Sequence, residues 1–282
     1  MPTRDTPGPA TSIHGIEAEA ASVARFHVRI LLTGESGVGK QTLARAIHEQ
    51  GRGASAPLVV VDCSEAADAV FESELLDWQD GERLPDGWIQ KAHGGTLLIR
   101  SIEKMTARKQ SALFRYLDAR QGASASGVKS VPVPDARLIA CGCSTLVAAV
   151  ESGRFHGDLF YRLNTVHLRL EPLRDRRRDI PALFERLLRQ AAETHGRRPP
   201  AISPETMRRL VASSWPGNVR ELRSVADDVM ANGANVIEPR MLPSRILLDP
   251  ADGDLRSSRP VVNGHPPSSV TRNTTRGSSL DG

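Results

Sequence analysis

One short segment limits the folds that this chain can adopt more than any other. It runs from Ile30 to Thr42 as ILLTGESGVGKQT, so an apolar run leads into a loop with three glycines and a lysine, and helical periodicity begins at Leu43. A strand, a glycine-rich loop and a helix N-terminus in this order are typical of a phosphate-binding loop. Its backbone N–H groups and its lysine would face phosphate oxygens. An ordinary glycine-rich turn between a strand and a helix is the alternative.

The loop residues are the candidate nucleotide contacts. The spacing from Gly34 to Lys40 fits the pattern G-x-x-x-x-G-K, but the Ser or Thr that usually follows is Gln41, with Thr42 one position late. A hydroxyl after the lysine normally contacts Mg²⁺, so the sequence predicts a nucleotide site and leaves its metal in question. The candidate set is Gly34, Glu35, Ser36, Gly37, Val38, Gly39, Lys40, Gln41 and Thr42.

Composition and charge exclude several classes of protein. Of the 282 residues, 39% are apolar and only 4% are aromatic, which predicts a buried core of mostly aliphatic side chains. A net charge of +4 does not by itself indicate a nucleic-acid partner. The odd set Cys63, Cys141 and Cys143 suggests no disulfide framework and suits a reducing compartment. Because no apolar run approaches the ~18 residues of a membrane span and no apolar signal core is present, we predict a cytoplasmic protein.

Apolar patterning divides the chain into four parts. Residues 1–12 and 244–282 are rich in Pro and polar residues, so both are predicted to be disordered, the second as a basic tail. Residues 13–172 alternate apolar runs with helical patterns, which predicts a doubly wound parallel α/β sheet. The run 58–63 is typical of a strand covered on both faces. In residues 173–243 the strands are predicted to stop. Predicted strands after the loop are 58–63, 96–99 and 136–141, and predicted helices are 13–26, 109–118, 179–194, 203–214 and 218–232.

Further sequence blocks follow the glycine-rich loop in a specific order. They are ESEL at 72–75, GGTL at 94–97, GRF at 153–155, DLFYRLN at 158–164 and WPGNVREL at 215–222. Together with the loop, they resemble the AAA+ ATPase domain of the bacterial enhancer-binding proteins, which remodel sigma-54 RNA polymerase. The resemblance covers about residues 13–243. It implies a P-loop AAA+ fold with an α/β nucleotide-binding subdomain over residues 13–172 and a C-terminal helical lid over residues 173–243. It also implies ATP as the ligand and assembly into rings. Since the residue after the lysine is commonly acidic in that family, Gln41 is a mild departure.

The resemblance also implies catalytic roles that this sequence does not fill. In the family, the third strand ends in Asp-Glu, which orders magnesium and polarises the attacking water. Here that pair is Arg100-Ser101, so we predict that both functions are lost. Glu103 could substitute only if it reached the site, and after the strand we expect it to point elsewhere. The family places an Asn near the γ-phosphate where this chain has Cys143, whose thiol cannot replace an amide.

Two arginines correspond to family positions that contact nucleotide. The family has two arginines, six residues apart, that reach into the neighbouring subunit's site, and this chain has His156 and Arg162 at those positions. Arg162 is therefore predicted to be a trans-acting arginine finger. Arg220 falls where the family's lid contacts bound nucleotide. Ordinary surface charge is the alternative for both arginines.

The sigma-54 contact element of the family has no counterpart here. That element is a Gly-Ala-Phe-Thr-Gly-Ala loop between the ESEL helix and the third strand, and the interval 76–90 is shorter and lacks it. Trp78 and Trp88 are expected to anchor this shortened loop by packing, the alternative being a new binding surface. No sequence after the lid resembles a recognition helix, so no sequence-specific DNA binding is expected.

The sequence thus predicts a degenerate member of the family. We expect an ATP-binding transcription regulator, deficient in hydrolysis, that acts as a homo-oligomer or in a mixed ring with a complete sigma-54 activator. Two alternatives stay open. One is an active ATPase in which another carboxylate has replaced the acidic pair, and the other is a decaying paralogue without function.

Overall fold

The computed structural model describes residues 13–51, 55–76, 78–79, 82–83, 87–125 and 136–247. The predicted disorder of residues 1–12 and 248–282 concerns positions outside these ranges. The expectation that the disordered tail begins at residue 244 was wrong, because Ser244–Leu247 form a short helix whose Ile246 is buried in the C-terminal core. The N-terminal elements, in chain order, are α1 (Ile13–Ala24), β1 (Ile30–Thr33), α2 (Lys40–Glu49), β2 (Leu58–Asp62), α3 (Asp68–Leu76), β3 (Trp78–Gln79), β4 (Glu82–Arg83), α4 (Trp88–Lys91), β5 (Thr96–Arg100), α5 (Ala107–Ala125), β6 (Arg137–Gly142), α6 (Leu146–Glu151), α7 (Gly157–Leu163) and β7 (Val166–Arg169). The C-terminal elements are α8 (Ile180–Thr194), β8 (Ala201–Ile202), α9 (Pro204–Ala212), α10 (Asn218–Ala231), β9 (Val236–Ile237) and α11 (Ser244–Leu247).

A five-stranded sheet forms the centre of the N-terminal part. Its strand order is β2-β5-β6-β1-β7, and every pairing is parallel. Because successive side chains on a strand point to opposite faces, Leu31 joins one apolar cluster and Leu32 joins another on the far side. Helices cover both clusters, so the predicted doubly wound α/β fold is confirmed.

The expectation that residues 58–63 form a strand covered on both faces is confirmed in part: Val59 and Val61 pack with one apolar cluster, and Leu58 and Val60 pack against the other, but the cover is incomplete. Among the described strands, β2 lies at the edge of the sheet and pairs with β5 alone. Of its residues only Val61 is buried, and the other four are partly exposed. An edge strand lacks a neighbour on one side, and this reduces the cover over its side chains.

The C-terminal helices pack around Trp215, which is fully buried. Its indole Nε1–H donates to the carbonyl of Leu210 at 2.7 Å, so burial leaves no donor unpaired. The predicted helix start at Ser203 is confirmed, since the Ser203 hydroxyl accepts the backbone N–H of Thr206 at 3.2 Å. All three predicted helices are present in this part as α8, α9 and α10.

The expectation that strands stop after residue 173 was wrong in one detail. The two-residue strands β8 and β9 pair in parallel, with Ala201 opposite Val236. A pairing this short creates no apolar alternation, so the sequence pattern could not indicate it. It ties the chain before α9 to the chain after α10.

Trp88 packs as predicted. Its ring meets that of Phe71 edge-on, with centroids 5.5 Å apart, so it anchors α4 against α3. The side chain of Trp78 lies outside the described residues. Within the part of the chain that the structure describes, no helix combines the length and the apolar character that crossing a membrane requires.

Candidate nucleotide-binding site

The glycine-rich loop joins β1 to α2, and its glycines adopt backbone conformations with positive φ that residues with a Cβ rarely adopt. Gly37 has a φ of 80°, in the left-handed region, and a Cβ at this position would collide with the carbonyl oxygen of Gly217. Gly39, directly before α2, has a φ of 107°. The loop therefore turns tightly against the lid and leaves the first N–H groups of α2 directed at the cleft, where an anion would be stabilised.

Lys40 begins α2 and folds back over the loop. Its Nζ donates to the carbonyl oxygens of Gly34 at 2.7 Å and of Glu35 at 2.8 Å. Burial lowers the pKa of Lys40 from its usual value of 10.5, an effect that nearby anionic groups oppose in part. A partly buried ammonium that donates to two loop carbonyls is well placed to bind phosphate oxygens.

The loop opens on a cleft of about 610 Å³ between the sheet and the lid. The cleft brings together residues that the sequence singled out from four separate segments, including Arg100, Ser101, Cys143 and Arg220. Gly34, Glu35 and Val38 of the predicted set do not line it. The lining residues are Ser36, Gly37, Gly39, Lys40, Gln41, Thr42, Arg100, Ser101, Glu103, Lys104, Cys141, Gly142, Cys143, Val219, Arg220 and Arg223.

The end of β5 carries an ion pair in place of free carboxylates. Arg100 Nη2 lies 3.0 Å from Asp62 Oδ2 on the neighbouring strand β2. Asp62 Oδ1 also accepts the Ser64 backbone N–H at 3.0 Å and the Ser64 hydroxyl at 2.6 Å. Burial acts to raise the pKa of Asp62, but the hydrogen bonds from Ser64 and Ser101 and the charge of Arg100 lower it overall. Asp62 is thus ionised and fully occupied by its protein partners.

The expectation that Glu103 points away from the site was wrong. Ser101 has a φ of 57°, and a single 3-10 turn at Ile102–Lys104 follows it. This tight reversal directs the Glu103 side chain into the cleft, where Oε2 accepts the backbone N–H of Cys143 at 3.1 Å. Among the described residues that line the cleft, Glu103 is the one carboxylate.

The lid contacts the loop through Arg220 and Asn218. Arg220 donates from Nη1 to the Ser36 hydroxyl at 3.1 Å and from its backbone N–H to the Gly37 carbonyl at 3.3 Å. Asn218 is fully buried, and its Nδ2 donates to the Ser36 carbonyl at 3.1 Å. Arg220 therefore lines the cleft beside the loop, and its contact with nucleotide stays a prediction.

Glu35 is turned away from the cleft and anchors the segment before α8. Arg174 donates to both of its carboxylate oxygens, at 2.9 and 2.6 Å, and Asn218 Nδ2 donates to Oε2 at 3.1 Å. The Arg174 hydrogen bond is the main cause that lowers the pKa of Glu35 to about 2, against partial burial and with help from Asn218. Neither Arg174 nor Asn218 was predicted as a site residue from the sequence. Asn218 lies inside the WPGNVREL block, which was the available signal.

A second pocket, of about 230 Å³, adjoins the cleft and was not foreseen from the sequence. It lies between α1, α2 and the lid, and it shares Gly39, Thr42, Val219 and Arg223 with the cleft. Its other lining residues include the apolar side chains Val38, Leu43, Leu170, Leu183 and Leu187. A cationic compartment next to an apolar one fits the two ends of a nucleotide.

Arg162 is not among the residues that line the cleft, as expected for a residue predicted to act on a neighbouring subunit. Its Nη2 lies 2.7 Å from Asp118 Oδ1, and its guanidinium stacks over the Phe114 ring at 4.5 Å. His156 also tilts against Phe114, at 5.7 Å. The Arg162 side chain remains 23% exposed. The trans-acting role of Arg162 stays a prediction.

The residues of the cleft do not fit a magnesium ion anchored by the protein. Mg²⁺ prefers carboxylate, hydroxyl and water oxygens in octahedral geometry. Here Arg100 lies at the strand end, Gln41 follows the lysine, and Glu103 accepts a backbone N–H. In the described ranges no three His, Cys, Asp or Glu side chains converge as a metal site.

Comparisons with known proteins agree with this geometry. The family model described as "Sigma-54 interaction domain" matches residues 8–169, and the one described as "AAA+ ATPase lid domain" matches residues 174–258. The regulatory protein AtoC of Escherichia coli is 38% identical over 234 residues, covering 81% of this chain and 50% of AtoC. The DNA-binding transcriptional regulator NtrC of Salmonella typhimurium is 35% identical, covering 84% of this chain and 52% of NtrC.

A solved structure is similar over most of the described fold. The crystal structure of NtrX from Brucella abortus in complex with ATP has a TM-score of 0.73 and 33% identity, and it covers 87% of this chain and 57% of NtrX. The same protein in complex with ADP gives a TM-score of 0.72. The chain spans about half the length of the curated relatives that it matches.

Proposed function

Because the chain belongs to the sigma-54 interaction domain family of AAA+ proteins, we propose that it is a cytoplasmic transcription regulator that binds ATP without appreciable hydrolysis. The observation that carries this proposal is the pairing of an intact phosphate-binding loop with Arg100 and Ser101 at the end of β5. The loop supplies affinity for phosphates. The end of β5 supplies a cation and a hydroxyl where the family resemblance implies carboxylates.

The placement of the nucleotide follows from the two adjoining compartments. Lys40, Arg220 and the N-terminus of α2 would hold the phosphates in the cleft. The base would enter the apolar pocket between α1, α2 and the lid. The ATP and ADP complexes of the Brucella abortus relative, which has a similar fold, support nucleotide binding by this chain.

The loss of hydrolysis follows from the groups around the cleft. Polarising a water requires a base within hydrogen-bond reach, and neither Arg100, which is cationic, nor the Cys143 thiol supplies a carboxylate for that role. The side chain of Cys143 is engaged with the Thr145 hydroxyl at 2.9 Å. General-base catalysis typically contributes a factor of about 10²–10⁴ in rate, so its loss leaves hydrolysis near background.

A second candidate function has one observation in its favour. Glu103 lies in the cleft, so it could act as a substituted catalytic carboxylate in a working ATPase. The hydrogen bond from the Cys143 N–H holds its Oε2 toward β6, which favours a structural role. Lys40-dependent phosphate release that disappears in Glu103→Gln would establish this second function in place of the first.

Thermal stability measures the binding half of the proposal. ATP at a hundredfold its dissociation constant should stabilise the folded chain by about 2.7 kcal/mol, which corresponds to a rise of roughly 5–10 °C in Tm. Lys40→Ala should abolish the rise. Arg108→Ala, on the remote helix α5, is the matched control and should keep it. A chain without nucleotide-dependent stabilisation would match the decaying-paralogue alternative and end the proposal.

The proposal includes assembly with a complete sigma-54 activator, in which this chain is a subunit that cannot hydrolyse the ATP bound at its own site. Arg162 on α7 would then reach the neighbour's nucleotide, after leaving Asp118 and Phe114. An arginine supplied in trans contributes a factor of about 10³ or more to phosphoryl transfer, so the effect on a partner should be large. The shortened interval 76–90 would leave a gap in the ring's sigma-54 contact.

Mixed assembly is tested by adding this protein to a purified complete activator. Particle mass should show a mixed species, and the activator's ATPase rate should change. Arg162→Ala should alter the rate effect without preventing assembly. Arg115→Ala, an exposed arginine on the adjacent α5, serves as the control. Absence of both a mixed species and a rate change at micromolar concentrations excludes this part of the proposal.

A further inference from the structure

The cleft is far more cationic than the chain as a whole. Its described lining includes one carboxylate, Glu103, and five cationic side chains, Lys40, Arg100, Lys104, Arg220 and Arg223. A triphosphate free of metal carries a negative charge on each phosphate and a second charge on the last. A bound divalent cation cancels part of this charge and adds a positive charge to a cleft that already has an excess. The charge of the cleft therefore complements the metal-free form of the ligand.

Arg100 is placed so that it can serve as the missing cation. Its Nη2 is held 3.0 Å from Asp62, which fixes the side chain at the end of β5. The side chain is still 38% exposed and lines the same cleft as Lys40. A guanidinium has five N–H donors in a planar fork, so donors remain for a second anion.

Among the described residues, the two carboxylates nearest Arg100 in these strand ends offer a metal ion few oxygens. Asp62 is occupied by Arg100 and Ser64, and it does not line the cleft. Glu103 uses Oε2 to accept the Cys143 N–H at 3.1 Å, so Oε1 is the carboxylate oxygen left to face a cation in a lining with five cationic side chains. A magnesium ion on the outer phosphates would instead meet the like charge of the Arg100 guanidinium.

We infer that this cleft binds a nucleoside triphosphate without a divalent metal ion, and that the Arg100 guanidinium occupies the place toward the outer phosphates that a metal ion would otherwise take. The inference rests on the proposed function, because it requires that nucleotide binds in the cleft. It adds that magnesium weakens binding or leaves it unchanged. It also makes Arg100 a ligand-binding residue, and not merely a substitution that removed a catalytic carboxylate.

Equilibrium binding in two buffers tests this. Titration calorimetry with ATP and the folded chain is carried out in excess EDTA and in excess Mg²⁺ at matched ionic strength. We expect a dissociation constant in EDTA equal to or lower than that in Mg²⁺. Arg100→Gln should weaken binding in EDTA by about tenfold or more, the usual loss for a hydrogen bond to a charged group, and should change binding in Mg²⁺ less.

Two further variants separate charge from structure. Arg100→Lys keeps the charge and should restore most of the binding in EDTA. Arg108→Gln removes an arginine that is also paired with a carboxylate, Glu72, but is remote from the cleft, and it should bind as the wild type does. Circular dichroism melts establish that the Arg100→Gln variant is folded. If that variant is unfolded, the dissociation constants of the wild type in EDTA and in Mg²⁺ still test whether binding needs a metal ion.

The outcomes distinguish this inference from the proposed function. Binding that requires Mg²⁺, or that Mg²⁺ strengthens tenfold, overturns the inference and leaves nucleotide binding in place. Arg100→Gln binding that equals the wild type in EDTA also overturns it. Absence of binding in both buffers overturns both the inference and the proposed function.

Discussion

Replacing Glu35 by Gln should loosen the lid from the phosphate-binding loop by a measurable amount. Glu35 receives two hydrogen bonds from Arg174, at 2.9 and 2.6 Å, and one from Asn218 at 3.1 Å. A shift of the Glu35 pKa from 4.5 to about 2 corresponds, at most, to about 3 kcal/mol of folding free energy. Because the Glu35 and Arg174 side chains are 31% and 39% exposed, solvent screening reduces this to about 1–1.5 kcal/mol.

The pH dependence has a defined sign. The folded-state pKa is lower than the unfolded one, so the ionised carboxylate stabilises the fold above about pH 4.5, and this contribution is lost as pH falls toward about 2. The stability difference between wild type and Glu35→Gln should therefore be constant from pH 7 to 5 and should shrink below pH 4.5.

Urea unfolding of a double-mutant cycle measures the pair directly. Glu35→Gln, Arg174→Gln and the double variant should give a coupling energy of about 1–1.5 kcal/mol at pH 7. Arg208→Gln, which removes an exposed arginine paired with Glu205 in α9, is the control and should cost under about 0.5 kcal/mol. A coupling energy below about 0.3 kcal/mol, or a difference that grows as the solution is acidified, would refute the reasoning.

Three further outcomes follow from the structure. Gly37→Ala should destabilise the chain by about 2 kcal/mol or more in urea unfolding, because the added Cβ would collide with Gly217 of the lid. Gly39→Ala has open space around the added Cβ, so it should incur only the cost of the left-handed backbone conformation, about 1–2 kcal/mol. Equal losses for the two would contradict this account of the loop–lid contact. Trp215→Ala should remove about 3–5 kcal/mol, because a fully buried ring and its hydrogen bond to Leu210 are lost, and a change under 1 kcal/mol would show that the lid core is organised otherwise. Glu103→Gln should leave phosphate release at the wild-type background, and a clear drop would identify Glu103 as a working base.

The loop and the sheet could be predicted because their signals are local. Glycine spacing defines the loop, and continuous aliphatic runs such as the one at residues 97–99 define buried parallel strands. The position of Glu103 could not be predicted, since it depends on the left-handed conformation of Ser101 and on one 3-10 turn. No sequence pattern indicates a left-handed serine or a single 3-10 turn at this position.

The contacts between the lid and the loop could not be predicted from the sequence for a different reason. Glu35 meets Arg174 across 139 residues of sequence and Asn218 across 183. Contacts this distant depend on how the lid docks, which local propensity does not specify. The apolar pocket between α1, α2 and the lid arises from the same docking, so its lining residues carry no local signal.

Steady-state phosphate release from ATP tests the central claim, binding without turnover, most directly. Wild-type chain and Lys40→Ala are compared under conditions where the wild type is saturated, with Arg100→Asp/Ser101→Glu as the variant that restores an acidic pair. We expect equal background rates for the first two and a higher rate, dependent on Mg²⁺ and on Lys40, for the third. Phosphate release by the wild type well above that of Lys40→Ala would contradict it.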